Sequence, residues 1–243
     1  MDNALYVSLS RQITLQRALD VTANNVANLD TAGFKVEQVL LNTDPAAPPA
    51  TPNQLIDYVL DAGLGRDFRQ GAVEVTGNPY DAAIEGEGFF AIRTAQGVRY
   101  TRDGRFTTDA QNQLVDHQGR AVLDASGSPI VLDPTKGEPT IGRDGAVSQG
   151  TVKLARLGVT RFANLSDLSK DGDNLYAAGA NAQPVVAADA VVRQGAVEKS
   201  NVQPVLEITN LIQISRAYER VAQLMNDTQN LSFEAVQRLG KAA

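Results

Sequence analysis

The chain contains no cysteine, which excludes disulfides, thiol chemistry and any cysteine-based zinc site. That suits a cytosolic protein, and equally one that reaches an oxidising place without needing staples. Histidine is nearly absent too. His117 stands alone beside a Gln-Gly turn, with no Gly-x-Ser-x-Gly elbow to accompany it, so it reads as a surface-turn residue and no histidine-based triad is expected. No run of about 18 apolar residues occurs, so no segment is expected to span a bilayer. The opening Met1-Asp2-Asn3-Ala4-Leu5-Tyr6 has no basic n-region, apolar h-region or Ala-x-Ala site. Any route out of the cytoplasm is therefore expected to bypass a cleaved signal peptide. Positive charge is scarce: the net charge is −6 and no Lys/Arg cluster offsets it, which opposes a nucleic-acid partner.

The most telling absence concerns helix breakers. No glycine precedes Gly33 and none falls between Gly195 and Gly240, while no proline precedes Pro45 or follows Pro204. Glycine and proline cost a helix interior roughly 1 and 3 kcal/mol relative to alanine, so their absence marks the two ends as helical and the middle as something else. With 243 residues, 43% of them hydrophobic, the chain can hold one large domain, or a core domain with smaller appendages.

At the C-terminal end, Leu211, Ile214, Tyr218, Val221, Ala222, Met225, Val236 and Leu239 fall on one side of a helical wheel, with Arg216, Glu219, Arg220, Gln223, Asp227 and Glu234 opposite. The pattern predicts an amphipathic helix from about Pro204 to Leu239, stopped by Gly240 and roughly 50 Å long. A second helix is expected from about Asn3 to Asn28, with Leu5, Leu9, Ile13, Leu15, Leu19, Ala23, Val26 and Ala27 as its broad apolar face. A face that wide exceeds the seam of a two-stranded coil and suggests more than one partner helix. Such helices either pair and lie on the rest of the chain, or bury their stripes against other copies.

From about Gly63 to Gly195 the punctuation is that of short strands and tight turns. Candidate strands are 72–75, 82–85, 89–94, 114–116, 121–123, 129–132 and 151–162, and Asp103-Gly104 is expected to turn a hairpin between 98–101 and 106–108. The predicted class is α+β: terminal amphipathic helices pairing as a coiled-coil-like stalk (1–40 with 200–243), a Pro-rich linker (41–62) and a central antiparallel all-β domain (63–199). The hexapeptide Arg69-Gln70-Gly71-Ala72-Val73-Glu74 recurs as Arg193-Gln194-Gly195-Ala196-Val197-Glu198, at the two borders of the β region. It reads as a small duplication, two strands meeting side by side, or chance plus shared turn chemistry.

Two motifs invite a ligand and fail. Gly86-x-Gly88-x-x-Ala91 fits a loose dinucleotide pattern, but Phe89-Phe90-Ala91-Ile92 follows as a strand where a helix must begin. Asp171-Gly172-Asp173-Asn174 resembles a calcium loop but lacks the later glycine and glutamate. Carboxylate pairs such as Glu85/Glu87 read as plain surface. No catalytic residue, cofactor, metal or small-molecule substrate is expected.

The run Leu19-Asp20-Val21-Thr22-Ala23-Asn24-Asn25-Val26-Ala27-Asn28-Leu29-Asp30-Thr31-Ala32-Gly33-Phe34-Lys35 resembles the N-terminal signature of bacterial flagellar rod and hook proteins, an Ala-Asn-Asn-x-Ala-Asn core followed by a Thr-x-Gly-[Phe/Tyr]-Lys turn. Gly77–Phe90, Tyr100–Phe106 and Glu198–Val202 resemble the same family, in order along nearly the whole chain. The opening residues and the length are most similar to proximal rod members, with distal rod members next.

The resemblance implies a structural subunit without catalysis. Its terminal helices would stack with those of neighbours into an inner tube and its β-domain would lie outside, in a rod that crosses the periplasm and transmits torque for swimming. It implies proximal and distal rod proteins and the flagellar type III export apparatus as partners. Asn24, Asn25, Asn28, Gly33, Phe34 and Lys35 carry over as assembly-motif positions. Leu5, Leu9, Leu19, Val26, Leu211, Ile214, Tyr218, Val221, Met225 and Val236 are the expected helix-packing interface. The asparagine amides can serve backbone or neighbours at a crowded helix end, and Gly33 can supply a turn that a side chain would obstruct. Two rival readings are a secreted carbohydrate-acting enzyme on a β-scaffold and a β-domain binding module with a helical stalk.

Overall fold

A computed structural model describes residues 2–45 and 57–241. Helix α1 (Asp2–Ala27) opens the chain, followed by β1 (Glu37–Pro45) and β2 (Asp57–Arg66). Then come β3 (Val73–Val75), β4 (Ala82–Glu85), β5 (Phe89–Thr94), β6 (Gly97–Thr101), β7 (Phe106–Thr108) and β8 (Leu114–Asp116). They are succeeded by β9 (Thr140–Ile141), β10 (Ala146–Gln149), β11 (Val152–Arg156), β12 (Val159–Phe162) and β13 (Leu168–Lys170). The last elements are β14 (Tyr176–Ala178), β15 (Pro184–Val186), β16 (Val191–Gln194), β17 (Ala196–Glu198) and α2 (Pro204–Lys241). Helices thus occupy the two segments poor in breakers, and the strands between them pair antiparallel.

The chain divides into two compact units, neither continuous in sequence. The helical unit holds α1, the segment Glu37–Arg66 and α2; the β unit holds Asn28–Val36 and Asp67–Val202. This differs from the expected division. Residues 41–45 and 57–62, expected as linker, are strand: β1 pairs with β2 from Glu37↔Arg66 to Pro45↔Asp57. Of the four prolines that prompted the linker expectation, Pro45 ends β1, and Pro48, Pro49 and Pro52 lie in 46–56, outside the described residues. The flanking Val39-Leu40-Leu41 and Tyr58-Val59-Leu60 have the β-branched, aromatic and apolar character that pairs well.

Within the helical unit α1 and α2 run antiparallel, since Gln12 Nε2 donates to Tyr218 Oη at 3.1 Å and Asn25 Nδ2 to Glu207 Oε2 at 3.1 Å. At 38 residues against 26, α2 is about 57 Å long and α1 about 39 Å.

In the β unit a six-stranded sheet runs β13-β14-β6-β5-β12-β15, accompanied by the sheet β11-β10-β9 and the pairs β16-β4, β17-β3 and β7-β8. Strand β5 organises the interior because both of its faces are buried and alternate with period two. Phe90 and Ile92 join Ile84, Phe106, Leu114 and Val122 on one side. Phe89 and Ala91 join Tyr100, Phe162, Leu168 and Tyr176 on the other.

The repeated hexapeptides do meet side by side: Val73↔Glu198, Glu74↔Val197 and Val75↔Ala196. A local twofold relates them, because position five of each copy opposes position six of the other. Their glutamines act alike as well. Gln70 bridges Ile84 O and Gly86 N, while Gln194 bridges Pro79 O, Pro139 O and Ile141 N.

Three local expectations are corrected. Asp103-Gly104 does not close a hairpin, since β6 lies between β5 and β14 while β7 pairs with β8. The Asp103 carboxylate instead binds Arg105 through Nε at 2.9 Å and Nη2 at 2.6 Å. Gly104 is needed for close approach, since a Cβ there would lie 1.6 Å from Ala82 O. The expected strand 151–162 is two strands, interrupted where Gly158 meets the backbone of Leu123 and Asp124. Residues 121–123 and 129–132 form isolated bridges, not named strands. Gly104→Ala is expected to destabilise the β unit by about 3 kcal/mol or more through overpacking. Gly119→Ala, at φ +78 with open space around it, should cost only about 1 kcal/mol. Urea unfolding followed by circular dichroism measures both.

Candidate functional site

The motif positions divide between the two units. In the helical unit Asn25 is buried near the C-terminal end of α1 and uses both ends of its amide. Its Nδ2 donates to Glu37 O at 2.8 Å and to Glu207 Oε2 at 3.1 Å, and its Oδ1 accepts from Glu37 N at 3.0 Å. One side chain thus ties α1 to the start of β1 and the first turn of α2. Only an amide of this length offers donor and acceptor in that arrangement. Glu37 is itself paired with Arg66 Nε at 2.8 Å. Asn24, next along the helix, is exposed.

In the β unit Asn28 starts a turn, with its Oδ1 accepting from Thr31 Oγ1 at 3.1 Å. Gly33 follows at φ +68, and a Cβ there would lie 2.5 Å from the backbone of Arg102 and Asp103. Its N–H donates to Glu198 O at 2.7 Å. Phe34 packs with Val36, Val202 and Leu29, and Lys170 Nζ stands 4.8 Å over its ring, a cation–π contact.

Lys35 is fully buried. Its Nζ donates to Glu198 Oε1 at 2.5 Å and to Arg69 O at 2.8 Å. Glu198, 1% exposed, also accepts from Arg102 Nη1 at 3.1 Å and Gly71 N at 3.0 Å. Arg102 completes the cluster through Nη2 to Gly86 O at 2.6 Å and by lying 5.3 Å over the Phe89 ring. Burial pushes the pKa of both Lys35 and Arg102 down, and the Glu198 charge pulls each back up. Asn201 secures the surroundings, accepting from Val36 N and donating to Asp67 O and Arg69 O.

Of the expected helix-packing residues, Leu19, Val26, Leu211, Ile214, Tyr218, Val221 and Met225 are half-buried and Leu9 is exposed. Leu5 and Val236 lie outside the residues whose side chains are described. Among the described side chains of α1, the buried ones are polar: Thr14, Thr22 and Asn25. Glu37, Arg102, Glu198 and Glu207 were missed as members of these clusters. Arg102 and Glu198 stood in family-like segments, but nothing in the chain order showed that they meet. His117, half exposed, has Nδ1 3.7 Å from Asp103 Oδ2, and Asp171 and Asp173 pair with Arg99 and Arg120. Among the described residues no group of three metal-ligating side chains occurs. The two clusters are bonding arrangements that hold segments in place.

Comparison with known proteins places these residues. The family described as flagella basal body rod protein matches residues 5–35. The flagellar hook protein FlgE/F/G D1 domain matches 83–149, and the flagellar basal body rod FlgEFG protein C-terminal family matches 193–238. The chain is 51% identical to flagellar basal-body rod protein FlgF of Caulobacter vibrioides, over 99% of both chains. The chain belongs to the FlgF family of flagellar basal-body rod proteins. It is 38% identical to FlgF of Mesorhizobium japonicum over 99% of both chains. It is also 30% identical to the rod protein FlgG of Bacillus subtilis, over 97% of this chain and 98% of that one. The FlgF family is structural, so the chain is a rod subunit and not an enzyme, and no described helix is long and apolar enough to cross a membrane.

Glu198→Gln strands two buried cations and is expected to cost the β unit about 3–5 kcal/mol. Lys35→Met, which leaves the Arg102–Glu198 pair intact, should cost less. Asn25→Ala leaves Glu37 N–H and Glu207 without their partner and is expected to cost about 1–3 kcal/mol in the helical unit. Denaturant midpoints of the three variants give the order.

Proposed function

We propose that the chain assembles helically through its terminal helices as a proximal rod subunit and passes torque along the rod by rigid packing. Membership of a rod-protein family implies assembly with other rod subunits. Neighbouring proximal and distal rod proteins, and the type III export apparatus, are the partners proposed. The observation that carries this is apolar surface left open on the helices. Val205 is 76% exposed, and Leu206, Ile208 and Ile212 beside it on α2 are exposed too, as are Tyr6, Leu9 and Ile13 on α1. The two groups lie towards opposite ends of the helix pair, and each offers apolar side chains at helical spacing that a partner would cover. The contacts are heterologous, because a rod requires head-to-tail packing that does not close into a ring.

The 51% identity to FlgF of Caulobacter vibrioides, against 30% to FlgG of Bacillus subtilis, favours the proximal over the distal position, although FlgF of Escherichia coli is only 29% identical. Ile208→Asp is expected to leave the isolated chain folded, since the side chain is exposed, and to abolish swimming and rod incorporation in a strain lacking the native gene. Swimming equal to that with the wild-type gene would refute assembly through this face.

A further inference from the structure

Glu207 is 8% exposed, yet among the described residues its carboxylate receives one hydrogen bond, from Asn25, and no cation. Its place in the first turn of α2 gives it the favourable field of a helix N-terminus, which offsets only a small part of the cost of burying a charge. The neighbouring acid, Glu37, has Arg66; Glu207 has no such answer. It lines a cavity of about 210 Å³ within the helical unit, whose walls include the apolar Ala18, Val21 and Ile214 and the polar Thr22, Asn210 and Gln213. A single water needs only roughly 15 Å³ measured the same way, so there is room for a side chain. An apolar wall with a carboxylate suits a basic residue, whose methylene stem takes apolar cover and whose tip bonds to the acid.

The helices carry the opposite imbalance. Arg11, Arg216 and Arg220 are exposed and have no carboxylate partner among the described residues.

We propose that this cavity receives an arginine of a second copy of the chain, which closes a charge-assisted hydrogen bond onto Glu207 as copies pack. The inference rests on the rod-subunit function, in which copies adjoin. Pocket and arginine are different patches, so the same contact repeats from copy to copy in the head-to-tail packing proposed for the rod.

Glu207→Gln keeps an oxygen for Asn25 while removing the charge. It is expected to melt no lower than the wild type, since an unanswered buried charge is removed, and to fail to restore swimming in a strain lacking the native gene. In parallel, p-benzoylphenylalanine in place of the exposed Gln213 is expected, on irradiation of assembled basal bodies, to capture a peptide of a second copy containing Arg11, Arg216 or Arg220. Normal swimming by Glu207→Gln overturns the proposal, as does capture of a peptide that lacks these arginines or comes from another protein. If Glu207→Gln fails to fold, the capture experiment, which leaves Glu207 in place, decides alone. Failure of the wild-type gene to restore swimming overturns instead the rod-subunit function beneath it.

Discussion

Glu198 sits where water does not reach it, and much of the β unit is arranged around answering its charge. Lys35 comes from the segment after α1, Arg102 from the end of β6 and the Gly71 N–H from the approach to β3. Removing a carboxylate from water costs several kcal/mol, and only close, well-aligned partners offset it. Each of the three segments is therefore committed to one position. Gly33 can be nothing larger because Arg102 must pass beside it, and the Lys35 ammonium fixes the Arg69 carbonyl at the edge of the paired hexapeptides. A buried ion cluster adds little net stability compared with apolar packing of similar volume. Here it joins three segments distant in sequence at one carboxylate.

How far the fold was legible depended on whether the deciding physics was local. The helices could be read because the cost of glycine and proline is paid within one turn: 3–28 was expected against α1 at Asp2–Ala27, and 204–239 against α2 at Pro204–Lys241. Strands β3 to β8 could be read for the same reason; β11 and β12 were read as one strand, and β1, β2, β9, β10 and β13 to β17 were not read. Asp103-Gly104 misled because Asp-Gly carries a hairpin signal, yet Gly104 is demanded by the carbonyl of Ala82, a contact that chain order does not show. The strands flanking 46–56 were hidden because prolines dominate that stretch. Glu74 and Glu198 end the same six-residue word, but one pairs at the surface with Lys199 and the other is buried with two cations. No local pattern distinguishes them, since the difference lies in what surrounds each after folding. The motif asparagines and Lys35 could be named, but not their partners.

The helices show the converse balance. On α1 polar groups are tucked in and apolar ones stand out: Asn25, Thr22 and Thr14 are buried while Tyr6 and Ile13 are exposed. For a protein that lives alone this would be an inversion. For a rod subunit it separates two tasks, with hydrogen bonds setting the angle at the base of the helices and apolar side chains left for association. Part of the apolar surface of the helices thus stays outside the chain's own packing, where the proposed assembly would bury it.

Neither unit is contiguous, and this bears on the order in which the molecule can be completed. The helical unit needs α2, and the β unit needs Glu198 to meet Lys35 across 163 residues of chain. A polypeptide that emerges N-terminus first therefore holds, until Glu198 and then α2 appear, an unanswered lysine and a first helix without its companion. Closing such long loops is slow and is rewarded only at the end. Both units are therefore completed only once the C-terminal part of the chain has appeared.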